Sequence, residues 1–121
     1  MATKILVVDD SPTVRQQVRL ALEHAGFIVS DACDGRDALT KVKDGVAGIV
    51  CDMNMPTMNG VEFAEALQKD PKLCKLPIVM LTTEGAVELV KRAKQAGVKA
   101  WMLKPFKPDL LISAIRQLTA S

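Results

Sequence analysis

Apolar residues along the chain follow two alternating rhythms. Short runs centred on Ile5–Val8, Phe27–Ala32, Ala47–Cys51, Pro77–Leu81 and Lys99–Leu103 are rich in Val, Ile and Leu and close on turn-forming or polar residues. Such runs predict strands, and continuous ones such as Ile5–Val8 predict strands buried on both faces. Between them apolar residues return every three or four positions, the spacing of amphipathic helices. Val14, Val18, Ala21, Leu22 and Ala25 mark the first, with Ser11 as its cap, Pro12 at its first position and Gly26 just past its end. Ala38, Leu39 and Val42 mark a short second helix between the Asp34-Gly35 turn and Gly45, and Val61, Ala64 and Leu67 a third over Gly60–Lys69, closed by Asp70-Pro71. Val87, Leu89, Val90 and Ala93 line a fourth, stopped by Gly97; Leu110, Leu111, Ala114, Ile115 and Leu118 line a fifth that reaches almost to Ser121.

The pattern is thus strand then helix, five times over, with no linker or low-complexity stretch. Each crossover is long enough for a right-handed parallel connection, so one parallel sheet covered by helices on both faces is the expected architecture. At 121 residues the chain is one domain, too short for two lobes around a cleft. The last helix is expected to use up the C-terminus, leaving residues 1–121 as a single domain with no attached output domain.

Composition narrows the classes. A net charge of +2 with no block of basic residues gives no footprint for nucleic acid, and Lys91, Arg92 and Lys94 read as a solvated helix face. Cys33, Cys51 and Cys74 are odd in number and lack a CxxC pair, which fits a reducing cytoplasm better than disulfides or zinc. The N-terminal apolar run is broken by two acids, so neither a signal peptide nor a membrane span is expected. His24, the single histidine, excludes a histidine metal cluster and reads as a surface residue near a helix end.

Chemistry gathers where the strands end. Asp9 and Asp10 follow the first, Asp52 the third, Thr82 the fourth and Lys104 the fifth, whereas the second ends only in Cys33 and Asp34. Asp52 alone could be a metal ligand, a nucleophile or a turn former. If the strand order is 2-1-3-4-5, the flavodoxin-like doubly wound order, the first and third strands are neighbours at the switch point and three carboxylates converge there. Three close anions require a cation. Oxygen-only ligation suits a hard divalent ion, Mg²⁺ first, whereas zinc or copper would call for His or Cys. Lys104 adds a second positive charge and Thr82 a hydroxyl donor, a set able to surround a transferring phosphoryl group while Asp52 attacks it.

These residues carry a resemblance over the whole chain. DD at Asp9-Asp10, DMNMPTMNG from Asp52 to Gly60, LTTEG from Leu81 to Gly85 and GVKAWMLKPF from Gly97 to Phe106 resemble the response-regulator receiver domain, in particular the single-domain chemotaxis regulators. The resemblance implies Asp52 as phosphoacceptor for a sensor histidine kinase, Asp10 as a direct Mg²⁺ ligand, Asp9 as a ligand through water and the backbone carbonyl of Asn54 as a further ligand. It implies that Thr82 donates to the phosphoryl group, that Lys104 pairs with it and that a cis peptide precedes Pro105. The position three before the lysine is commonly Tyr or Phe and turns inward on activation; here it is Trp101, whose indole is larger and only donates. Asn54 and Glu84 flank the phosphoryl site, where they would tune hydrolysis. The implied protein is a cytoplasmic monomer and not an enzyme beyond its own phosphotransfer and dephosphorylation. Its fourth helix, fifth strand and fifth helix would bind a flagellar switch protein, and a phosphatase would be a further partner.

Three alternatives are weighed. A single-domain receiver in a phosphorelay unrelated to motility would share every motif. A Mg²⁺-dependent aspartyl-phosphate phosphohydrolase would carry an acid two residues beyond the nucleophile, where this chain has Asn54, and a cap domain. A flavodoxin-type electron carrier would need a Ser/Thr/Gly-rich phosphate loop and aromatic rings, against DDSPT, one Trp and no Tyr.

Overall fold

The computed structural model describes residues 3–55, 57–83 and 87–120. The elements are β1 (Lys4–Val8), α1 (Pro12–His24), β2 (Ile28–Ala32), α2 (Gly35–Lys41), β3 (Gly48–Asp52), α3 (Gly60–Gln68), β4 (Ile78–Thr82), α4 (Val87–Gln95), β5 (Ala100–Leu103) and α5 (Pro108–Thr119). All strand pairs are parallel and the order is β2-β1-β3-β4-β5. This is the expected doubly wound sheet. Strand limits differ from the sequence reading by about one residue, within the usual fraying of such boundaries.

Period two along the strands builds two cores. Leu6, Val8, Ile49, Cys51, Ile78 and Met80 face one side, where Val61, Phe63, Ala64 and Leu67 of α3, Ala38 of α2 and Ala93 of α4 cover them. Ile5, Val7, Val50, Val79 and Leu81 face the other, against Val18 and Leu22 of α1 and Leu111 and Ile115 of α5. Central strands buried on both faces must be apolar at every position, which is why these runs are continuous rather than alternating.

Side chains start the helices. Ser11 Oγ accepts from the Val14 N–H above Pro12, and Asp34 accepts from the Asp37 N–H. Asn59 and Glu62 form a reciprocal capping box at α3, a signal that the sequence reading passed over. At the far end of α1, Gly26 has φ +97°, a left-handed geometry that costs glycine nothing. His24 is exposed on the last turn of that helix.

One helix face differs from expectation. Leu110 was placed inward on α5, yet it is 57% exposed while Leu111 and Ile115 are fully buried. Successive helical residues are about 100° apart, so a stripe centred on Leu111, Ile115 and the half-buried Leu118 turns Leu110 away.

Candidate functional site

The ladders run past the strand ends and carry the site residues with them. The Asp9 N–H donates to the Ala32 carbonyl at 3.1 Å, the Met53 N–H to Leu81 at 2.9 Å and the Lys104 N–H to Thr82 at 2.9 Å. Asp9, Asp52 and Lys104 therefore keep the alternation of their strands. They continue the rows Ile5–Val7, Val50 and Met102, all on the α1/α5 side of the sheet. Met53, Thr82 and Trp101 continue the opposite rows.

Three carboxylates meet at this end. Asp9, Asp10 and Asp52 each place an oxygen within 4.8 Å of the others. Asp9 and Asp52 are buried while Asp10 is exposed. Lys104 bridges two of them, its Nζ 3.1 Å from Asp9 Oδ2 and 3.2 Å from Asp52 Oδ1. Asp9 Oδ1 accepts from the Ser11 N–H at 2.9 Å, so both of its oxygens are engaged by the protein. Asp52 Oδ1 also accepts from the Asn54 N–H at 3.2 Å.

Charge balance follows from burial. Burial, then the neighbouring Asp9 charge, pushes the Asp52 carboxyl above its ordinary value, against the Asn54 N–H and Lys104, which pull it down. Burial alone would lower Lys104, but the charge of Asp52 and the bond to Asp9 outweigh it and hold the ammonium above its usual range. The buried Cys51 thiol is pushed far upward by burial and by the same carboxylates, which makes it an inert core residue. One lysine against three carboxylates leaves an anionic, oxygen-only pocket open on the Asp10 side. That donor set fits a hard divalent cation.

The loop after β3 is shaped for this arrangement. A Cβ on Gly60 would collide with the Asp52 carbonyl, and the Gly60 N–H donates to the Met53 carbonyl at 3.2 Å. A side chain at position 60 would therefore push α3 away from the strand that carries Asp52. Met53 is fully buried beneath this loop. The Lys104–Pro105 peptide is cis.

Not every expected residue joins the cluster. Thr82 is 6% exposed, and its hydroxyl donates to the Thr83 carbonyl at 2.9 Å and lies 3.6 Å from Met53 Sδ. Its hydroxyl makes no hydrogen bond to Asp52 or Lys104. Trp101 pairs with Met80 in register, half-buried on the edge strand, with Lys94 Nζ 5.8 Å from its ring centroid. Its Nε1 is buried and has no partner among the described residues. Asn54 is exposed, and Glu84 lies outside the described residues. Arg15, missed by the sequence reading, and Ser11, read there only as a helix cap, hold the Asp9 main chain and side chain. A donor one turn into the helix that follows an acidic strand end is the signal that would have found Arg15.

With this geometry in place, the comparisons with known proteins become specific. The sequence profile of the response regulator receiver domain matches residues 5–116. The chain belongs to that family. It is 36% identical over 117 residues to the chemotaxis protein CheY of Pseudomonas aeruginosa, covering 95% of this chain and 94% of that protein. It is 38% identical over 112 residues to a CheY homolog of Campylobacter jejuni, covering 89% and 85%. Among solved structures, Vibrio cholerae chemotaxis protein CheY4 superposes with a TM-score of 0.90 at 39% identity over 98% of this chain and 99% of that one. The signal receiver domain of a Syntrophus aciditrophicus histidine kinase gives 0.91 at 29% identity over 98% and 91%. As a receiver domain, this chain is a response regulator of two-component phosphorelay, and receiver domains are phosphoacceptor regulators rather than conventional enzymes. The phosphohydrolase and electron-carrier readings find no support in these matches. No helix among the described residues is long and apolar enough to cross a membrane.

Proposed function

We propose that Asp52 is the phosphoacceptor of a single receiver domain spanning residues 1–121, loaded by a sensor histidine kinase and working in chemotaxis. The observation that carries this reading is the bridge of Lys104 between Asp9 and Asp52 beside an exposed Asp10. An Asp52 oxygen attacks phosphorus as the P–N bond of a phosphohistidine breaks, and imidazole leaves with the electron pair. Asp10, the Asn54 carbonyl and Asp52 would hold Mg²⁺, with Asp9 acting through water because its own oxygens are already engaged. The ion would supply charge neutralisation on the phosphoryl oxygens. Lys104 leaves its bridge to pair with the new dianion, and the Thr82 hydroxyl exchanges the Thr83 carbonyl for a phosphoryl oxygen.

That exchange is the switch. Thr82 moves on the face it shares with Trp101, so the indole takes up the freed space and the β5/α5 surface changes its affinity for a target. Support for an output surface there comes from Leu103 and Leu110, 56% and 57% exposed beside a groove of about 500 Å³ that Trp101 also lines. A flagellar switch protein is the target that fits the chemotaxis relatives, and the cytoplasm is the compartment. A phosphatase would act on the same site, with Asn54 and Glu84 tuning the rate of water attack.

The test is intact mass after incubation with acetyl phosphate and Mg²⁺, with Trp101 fluorescence followed in parallel. One added phosphate, absent from Asp52→Asn and absent with chelator, is expected, together with a fluorescence change. Phosphate that persists in Asp52→Asn would move the acceptor elsewhere. Failure of the gene to restore chemotactic swimming in a strain lacking its own single-domain regulator would favour a relay unrelated to motility.

A further inference from the structure

We propose that Arg15 is a positioning residue for the cation site, fixing the peptide that joins Asp9 to Asp10. This rests on the reading of the acidic cluster as a divalent-cation site. Arg15 stands on the second turn of α1, and its Nη1 donates to the Asp9 main-chain carbonyl at 2.6 Å. The side chain is 20% exposed, and its Nε lies 3.9 Å from Asp31 Oδ2 on the edge strand β2. Asp31 is held in turn by Arg19 at 3.1 Å, and Arg19 also donates to the Val29 carbonyl at 2.9 Å. A chain of contacts thus runs from β2 through Asp31 and Arg15 to the turn that carries both acids.

The need for such a clamp follows from Asp10. Asp9 is fixed through every polar atom: its N–H by Ala32, its two carboxylate oxygens by Ser11 and Lys104, and its carbonyl by Arg15. Asp10 is exposed, and no side-chain hydrogen bond holds it among the described residues. Its carboxylate goes where its backbone points it. The Asp9–Asp10 peptide plane sets that direction, and the Arg15 bond is the side-chain contact on that peptide.

Electrostatics gives the inference a sign that a bystander would not share. Arg15 is a cation near a cation site, so by charge alone its removal should tighten Mg²⁺ binding. A positioning role predicts the opposite, because loss of the clamp frees the peptide and the ligand it carries. Outer partners of metal ligands typically contribute ten-fold or more in affinity.

The experiment titrates the purified full chain with Mg²⁺ alone by calorimetry, well below the melting temperature of each variant. Arg15→Met removes the donors and keeps most of the stem; Arg19→Met removes a charge from the same Asp31 network without touching the Asp9 carbonyl. Weakening of about ten-fold in Arg15→Met, with Arg19→Met unchanged and Arg15→Lys in between, is the expected result. Unchanged or tighter binding in Arg15→Met overturns the proposal, and so does equal weakening in both methionine variants, which would trace the effect to the β2 network as a whole. If Arg15→Met does not fold, Arg15→Gln, neutral and too short to place a donor where the Arg15 Nη1 stands, should also bind Mg²⁺ more weakly than the native chain; unchanged or tighter binding would again overturn the proposal. A native chain that binds no Mg²⁺ would overturn the cation-site reading itself, an outcome distinct from failure of the clamp alone.

Discussion

Strands β3 and β5 both deliver a charged residue to the same end of the sheet, from opposite environments. All five residues of β3 are buried between β1 and β4. The four residues of β5, at the sheet edge, are half-buried, with Leu103 largely open. Asp52 therefore arrives on a rigid scaffold in low dielectric, where its charge is costly and its geometry fixed. Lys104 arrives from a strand that one neighbour supports and solvent touches, and its side chain is 22% exposed. The contrast teaches a division of labour: the centre of the sheet holds the reacting carboxylate still, and the edge holds the group that has to change partners.

Breaking the central half should cost most. Ile49→Ala, at a fully buried β3 position, is expected to lower unfolding free energy by about 3–4 kcal/mol, read from urea denaturation. A loss below that of an edge substitution would end the contrast.

Removing the lysine comes next. Lys104→Met leaves Asp9 and Asp52 close together without their cation, with an expected loss of about 2 kcal/mol, less than for a fully buried pair because the lysine is partly solvated. Its pH dependence follows from the raised ammonium. The lysine contribution is complete below the ordinary value of 10.5 and is lost as pH rises through the higher folded value, so the native chain should weaken at alkaline pH more steeply than the variant.

Asp52→Asn should act in the opposite direction and more weakly, stabilising the chain at neutral pH. The folded carboxyl titrates above the unfolded value of 3.8, so folding takes up a proton in that window and native stability falls as pH rises through it. Asparagine removes that fall. The gain should vanish in acid, where both states of the native chain are protonated, and a gain independent of pH would sink the explanation.

The smallest effect is expected at the outer edge. Leu103→Ser should change stability by no more than about 0.5 kcal/mol while weakening binding of the phosphorylated chain to its target. A large stability loss would show that β5 is as much core as β3.

Much of this was written in the chain. The continuous apolar runs named β1, β3 and β4, because central strands buried on both faces leave no polar position to confuse the pattern, while turn signals and spacing marked the edge strands β2 and β5. Asp9, Asp10, Asp52 and Lys104 were legible because each interrupts an apolar run at its carboxyl end. What stayed hidden depends on direction rather than position. Thr82 was expected as a donor to a phosphoryl group, and its position did not say that the hydroxyl would meanwhile donate to the Thr83 carbonyl beside Met53. Leu110 read as core because spacing alone does not say which of two adjacent leucines centres the buried stripe. Arg15 drew no reading from the sequence, because only the packing of α1 against β2 brings its guanidinium to the Asp9 carbonyl.

The sequence by itself determined the five βα units, the parallel sheet they compel and the residue types at each strand end, since local apolar periodicity and turn chemistry act over a few residues. Only the tertiary structure decided that Lys104 spans Asp9 and Asp52 from a strand ninety-five positions beyond Asp9. Distances of that kind come from register between strands and helix packing, long-range contacts that no local pattern encodes.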